Sequence, residues 1–341
     1  MPELWYEGPG KVAWRESSPV LRSGEDDVIV RPLVVAMCDL DRFIARGGSP
    51  FPPPFALGHE LVAEVVESAD GSSFTAGDVV AVSYQPSCGA CTMCSRGRTA
   101  ACLAVPKACM YGVGPAGGDF GGAFSDRLRV PYPAAMLQRL PPSVSPLQAA
   151  VASDSLLDGY RCVAGPLEAI PGGSVLIAGD GSVAMFAAHC AVRLGAERVS
   201  FYSRDARSLE RAESLGAAAF EVEAWPRRFP SHAITVDATG DPDALSAVVD
   251  STQMAGYCTC AAMFVSDVAL PMDRMYLRGI TFEISRTDGA AGLPRMLDAI
   301  GAGVLDPMSI RPAVVAWDDA PDALLGAEPK VIVDRSAPAG T

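Results

Sequence analysis

The stretch SVLIAGDGSVAMFAAHCAVRLGA, residues 174–196, decides how this chain is read. Its opening apolar run reads as a buried strand, and Gly179, Gly181 and Ala184 follow it in a G-x-G-x-x-A pattern. A helix is expected from 183 to about 194. Strand, glycine turn and helix N-terminus in that order allow backbone amides to approach a pyrophosphate. Gly179, Gly181, Ser182 and Val183 are therefore expected to bind a dinucleotide cofactor, rather than to form a plain strand-to-helix turn.

Downstream, RVSFYS, a helix over 209–215 and AITVDATG continue the alternation of strand and helix, which implies a parallel sheet with crossover helices. Upstream the texture differs. Residues 1 to about 150 are rich in Pro and Gly, and DVIVRPLVVAM and GDVVAVSY read as strands of a twisted, mainly antiparallel body. Short strands return in the last fifty residues, ending in KVIVDR. There is no internal repeat and no low-complexity tail.

At 341 residues the chain suits about two domains with a core that needs no covalent staples. A net charge of −13 argues against a nucleic-acid partner, which requires clustered Lys and Arg. The N-terminus lacks a basic stretch followed by an apolar core, and the most apolar segment is interrupted by Asp180, Ser182 and His189. Neither a secretory signal nor a membrane span is expected. Ten cysteines in such a chain point to a reducing cytoplasm, where thiols serve metals or cores.

CGACTMCSRGRTAAC, residues 88–102, spaces Cys88, Cys91, Cys94 and Cys102 as C-x2-C-x2-C-x7-C. Four thiolates can converge on one tetrahedral Zn²⁺, and such a closed site leaves no position for a substrate. This zinc is expected to be structural. A sparser set carries the chemistry: Cys38 and Asp41 in AMCDLD, and His59 and Glu60 in LGHE, can contribute to an open zinc site.

Taken together, the motifs resemble the zinc-dependent medium-chain alcohol dehydrogenases over nearly the whole chain. The resemblance rests on Cys38 with Asp41, GHE at 58–60, GDVV at 77–80, the four-cysteine lobe, GGAFSD at 121–126, the Gly-Tyr pair at 159–160, the glycine turn and DATG at 237–240. It implies an α/β chain: a GroES-like, mainly antiparallel β catalytic domain (1–154 and 287–341) split around a Rossmann domain with a doubly wound parallel sheet (155–286), the catalytic zinc lying in the cleft. It also implies zinc ligation by Cys38, His59 and a third residue five positions before Gly159, which is Asp154 here, where many relatives have Cys. The family's Glu at position 60 approaches the metal during ligand exchange, and its Asp at position 41 orients the zinc-binding His.

The activity so implied is hydride transfer between a nicotinamide and an alcohol, carbonyl or imine, with the metal polarising the oxygen. The partner is a small molecule, and the assembly a homodimer or homotetramer. Two departures stand out. The usual proton relay is replaced by Leu40 and Phe43, leaving a water chain, Asp39 or Asp158 to move the proton. At the end of the second Rossmann strand, Ser203, Arg204 and nearby Arg207 stand where NAD-dependent relatives carry an acid, so NADP(H) is expected over NAD(H). Alternatively, Asp205 supplies that acid one turn late. The competing readings of the whole chain are a degenerate cofactor-binding relative with only the structural zinc, and a zinc-ribbon adaptor.

Cys258 and Cys260 alternate in a strand and are expected in the core. His189 and His232 have no ligand partner at suitable spacing.

Overall fold

The β-branched run after residue 27 forms a ten-residue strand that organises the first half of the chain. In this computed structural model, which describes residues 1–18, 20–49, 51–114 and 120–337, that strand is β3 (Val28–Met37). It follows the antiparallel pair β1 (Pro2–Gly8) and β2 (Lys11–Glu16). After it come β4 (Phe55–Ala56), β5 (Glu60–Glu67), β6 (Val79–Val82), β7 (Leu128–Val130) and β8 (Leu137–Arg139).

The second half supplies β9 (Val175–Ala178), β10 (Val199–Ser203), β11 (Ala218–Glu221), β12 (His232–Asp237), β13 (Thr252–Cys260) and β14 (Thr281–Ile284). The chain then returns with β15 (Ala313–Ala316) and β16 (Val331–Asp334).

Two compact units result. The first comprises Met1–Leu157, Thr287–Gly303 and Pro312–Thr341. Its large sheet runs β15-β16-β3-β5-β6-β8 with β7 on β3, and every pairing in it except β15 with β16 is antiparallel. β1, β2 and β4 form a smaller sheet. Leu4, Val30, Met37, Leu61, Val82, Phe124 and Val333 meet in one apolar core. This is the GroES-like β body.

The second unit comprises Asp158–Arg286 and Val304–Arg311. Its six strands run β11-β10-β9-β12-β13-β14, all parallel. Strands are added outward on both sides of β9, the doubly wound order of a Rossmann domain, in which ligands bind beyond the carboxyl ends of the strands where the order reverses. Parallel strands covered on both faces need apolar residues throughout, and β9 is buried at all four positions.

Helix limits shift slightly from expectation. The helix read over 209–215 starts at Ala206, because Asp205 caps it by accepting from the Ser208 amide at 2.8 Å. The helix of the glycine turn spans Ser182–Arg193. From it His189 reaches the segment after residue 303: its Nε2 accepts from the Asp306 amide at 3.0 Å. That bond fixes the proton on Nδ1, which donates to the Ser309 hydroxyl at 3.1 Å. No helix among the described residues is long and apolar enough to cross a membrane.

Candidate active site

Cys38 ends the tight exit from β3 and starts a short helix, Asp39–Phe43; His59 immediately precedes β5; Asp154 immediately precedes the helix Ser155–Ala169. Three distant segments thus meet. One donor atom from each of Cys38, His59 and Asp154 lies within 4.8 Å of the others. His59 Nε2 is 3.2 Å from Asp154 Oδ2, and the imidazole is wholly buried.

Asp41 joins two of these segments. Its Oδ2 accepts from the Cys38 amide at 2.9 Å, while Oδ1 stands 3.2 Å from His59 Nδ1, a charge contact whose angle falls short of a hydrogen bond. The carboxylate therefore turns Nε2 of the ring toward Asp154 and Cys38. Gly58, just before His59, has φ of +90°, and a Cβ there would lie 2.6 Å from the Phe124 ring. Only glycine fits that approach.

The electrostatics suit a cation. Burial pushes the Cys38 thiol well above its ordinary value, and the Asp154 charge adds to this. Burial works against a proton on His59, but Asp41 and Asp154 outweigh it and hold the imidazole well above 6.5. A divalent ion among a thiolate, a carboxylate and a neutral imidazole would make the set neutral overall, and these three unlike donors fit Zn²⁺ in an open site.

Glu60 adjoins this set but is held elsewhere. Ser155 donates to Oε1 through its amide at 2.5 Å and its hydroxyl at 2.7 Å, and Lys330 Nζ donates to Oε2 at 2.7 Å. Both ends of the ion pair are fully buried. Burial lifts the Glu60 carboxyl above its ordinary value and Lys330 partly offsets that, whereas the Glu60 carboxylate overcomes burial to raise Lys330. Sequence reasoning missed Lys330 and Ser155. A lysine opening the apolar run KVIVDR was the one available signal.

Of the candidate proton carriers, Asp158 faces its own helix: Arg161 Nε donates to Oδ1 at 2.5 Å. Leu40 packs against the core and Phe43 is exposed, so neither site carries a relay group.

Cys88, Cys91, Cys94 and Cys102 also converge, each offering a sulfur within 4.8 Å of the others. Amides point at the sulfurs: Cys88 N–H at Cys102 Sγ (3.3 Å), Cys91 N–H at Cys88 Sγ (3.4 Å) and Leu103 N–H at Cys91 Sγ (3.4 Å). The Leu103 amide first, and the Cys94 amide after it, draw Cys91 down to about 6. Such N–H donors stabilise thiolates, and the four sulfurs fit one tetrahedral zinc. All ten cysteines are free thiols. Among the described residues these are the two clusters of at least three potential ligands. His232 instead bonds Ser200 Oγ at 2.9 Å, and Cys258 and Cys260 are buried in β13.

In the second unit, the glycine turn lies between β9 and the helix that opens at Ser182. A Cβ on Gly179 would lie 2.8 Å from Ala184 Cβ and 2.9 Å from the Ala238 carbonyl, so strand, helix and the β12 exit close around a bare backbone. This bare turn at a helix N-terminus fits a pyrophosphate. Ser203 ends β10, and Asp205 is turned into its own helix cap. Asp180, from the turn, reaches across: Oδ1 accepts from Ser203 Oγ at 2.8 Å and from the Arg204 amide at 2.7 Å. Arg207 is exposed on the following helix.

An antiparallel GroES-like body bearing two cysteine-containing ligand clusters, with a parallel Rossmann sheet, defines a class of nucleotide-linked oxidoreductases. Residues 24–142 match the model of the alcohol dehydrogenase GroES-like domain. A probable zinc-binding alcohol dehydrogenase of Mycobacterium tuberculosis is 27% identical over 94% of this chain and 83% of its own. The glutathione-independent formaldehyde dehydrogenase of Pseudomonas aeruginosa is 32% identical over 71% of this chain, and the match spans 63% of that enzyme. The solved alcohol dehydrogenase of Thermus sp. ATN1 superposes with a TM-score of 0.86 at 26% identity, over 98% of this chain and 99% of that one. These matches together support membership of the zinc-dependent medium-chain alcohol dehydrogenase family and an oxidoreductase function.

Proposed function

We propose that the chain interconverts an alcohol and its carbonyl (or an amine and its imine) with NADP(H), using a catalytic zinc at Cys38, His59 and Asp154 and a structural zinc at Cys88, Cys91, Cys94 and Cys102. The reading is carried by three unlike donors, brought from distant segments to within 4.8 Å and buried around His59. In the oxidative direction hydride leaves the carbinol carbon for the nicotinamide and the hydroxyl proton leaves to solvent; reduction reverses both. The metal, when bound, supplies a Lewis acid that polarises the substrate oxygen.

The chain's own residues do the rest. Asp41 orients the His59 ring so that Nε2 faces Asp154, while Lys330 and Ser155 restrain Glu60. Asp39 and Asp158 are the carboxylates available to a proton path. Gly179, Gly181, Ser182 and Val183 cradle the pyrophosphate, and Ser203, Arg204 and Arg207 receive the 2′-phosphate. The free thiols are consistent with a reducing cytoplasm. A second copy of the chain is proposed to cover the edge at β14, where Met272, Tyr276, Leu277 and Ile284 stay exposed, giving a homodimer or homotetramer.

Metal analysis together with a screen of alcohols and aldehydes against NADPH and NADH tests the core of this reading. Two zincs per chain and NADP(H)-linked turnover are expected. One zinc per chain and no turnover with either nucleotide would overturn it.

A further inference from the structure

The acid that the end of β10 lacks is supplied from another strand's exit. β9 and β10 run parallel in the register Ala178 to Tyr202, so the residues just past each strand lie side by side. Asp180 fills that place. Besides its bonds to Ser203 Oγ and the Arg204 amide, its Oδ2 accepts from Arg204 Nε at 3.3 Å and from NH2 at 3.2 Å. Its own carbonyl accepts from Ser208 Oγ at 2.9 Å, which ties the turn to the next helix. The Arg204 guanidinium meanwhile lies 4.8 Å from the centre of the Trp225 ring.

The guanidinium is thus already engaged with a carboxylate on its edge and an indole on its face. A 2′-phosphate must take the same forked donors that Asp180 holds, and must do so beside a negative charge. A ribose diol faces no such conflict, because hydroxyls can donate to a carboxylate. The pair is partly exposed, with side chains at 42% and 33%, so the competition is modest and can be reversed.

We infer that Asp180 is a specificity-determining residue of the adenosine end: it competes with the 2′-phosphate for Arg204 and so weakens the preference for NADP(H). The inference rests on the reading of the glycine turn as a nicotinamide-nucleotide site. It concerns the turn's second residue, not its glycines.

Calorimetric titration of the full chain with adenosine 2′,5′-bisphosphate and with ADP reads this site without turnover. Asp180→Asn keeps an oxygen for Ser203 and the Arg204 amide but removes the charge. It is expected to tighten the bisphosphate about fivefold or more and to leave ADP within about twofold. Arg204→Gln is expected to weaken the bisphosphate, and to abolish most of the gain from Asp180→Asn in the double variant. An unchanged ratio of the two affinities in Asp180→Asn overturns the inference while leaving the cofactor reading intact. If Asp180→Asn fails to fold, the Arg204→Gln variant decides: unaltered discrimination overturns the inference. Wild-type chain that prefers ADP, with a ratio that still moves in Asp180→Asn, supports the inference and removes the NADP(H) preference. Failure of wild type to bind either nucleotide overturns both.

Discussion

Lys330 and Glu60 form a fully buried ion pair, Nζ to Oε2 at 2.7 Å, between residues 270 positions apart. Burying two charges is costly, so breaking such a pair from one side leaves a bare charge in the interior. Lys330→Met is expected to lower unfolding free energy by about 3–5 kcal/mol, and Glu60→Gln with Lys330→Met to recover much of the loss. Urea unfolding of wild type and these two variants checks this. Equal stability of the single and double variants would show that the lysine acts through packing alone.

The two proposed zinc sites differ in what their loss removes. His59→Asn is expected to drop zinc from two per chain to one and abolish turnover while the far-ultraviolet spectrum and melting point stay near wild type. Cys94→Ser is expected to lose the other zinc and several degrees of melting temperature. Elemental analysis with thermal melts distinguishes them, and the reverse pattern would exchange the roles of the sites.

His189 gives a pH dependence with a definite sign. Burial lowers its value to about 4 from 6.5, with Arg193 acting in the same direction and Asp306 against. The folded state therefore binds fewer protons than the unfolded chain between those limits. Stability from this group is complete above 6.5 and declines as pH falls toward 4, by up to about 3 kcal/mol. A second proton would also turn an Nε2–H against the Asp306 amide that it now accepts from. The slope of stability against pH in this window is expected to flatten in His189→Gln. Proton NMR of an imidazole that titrates near 6.5 would contradict the assignment.

Gly179 is confined by Ala184 and Ala238. Gly179→Ala forces a methyl to within 2.8 Å of another and is expected to cost about 1–3 kcal/mol through overpacking and to weaken ADP binding. Thermal melts and calorimetry on the same sample read both effects. Native stability with normal ADP binding would show that the turn yields more readily than its packing implies.

How far the sequence speaks depends on range. GDGS after an apolar run is a local pattern, and the strand, turn and helix appear where it predicts them. GroES-like strands such as Val28–Met37 and Val79–Val82 were legible from β-branched runs for the same reason. The hold on Glu60 was not, since Lys330 reaches it only through the pairing of β16 with β3. Nor could Asp180 be seen to reach Ser203, because that follows from the register of two parallel strands. The helix expected over 209–215 starts at Ala206, because Asp205 caps it, a role that its neighbours in sequence do not reveal.

β16 has a consequence for how the protein is made. It lies between β15 and β3, yet it is translated after the entire second unit. At roughly 5–20 residues per second, Lys330 leaves the ribosome about 15–50 s after Glu60. During that interval β3 offers an unpaired edge and Glu60 lacks its counter-cation, so the nascent chain exposes a template for wrong pairing until β16 arrives.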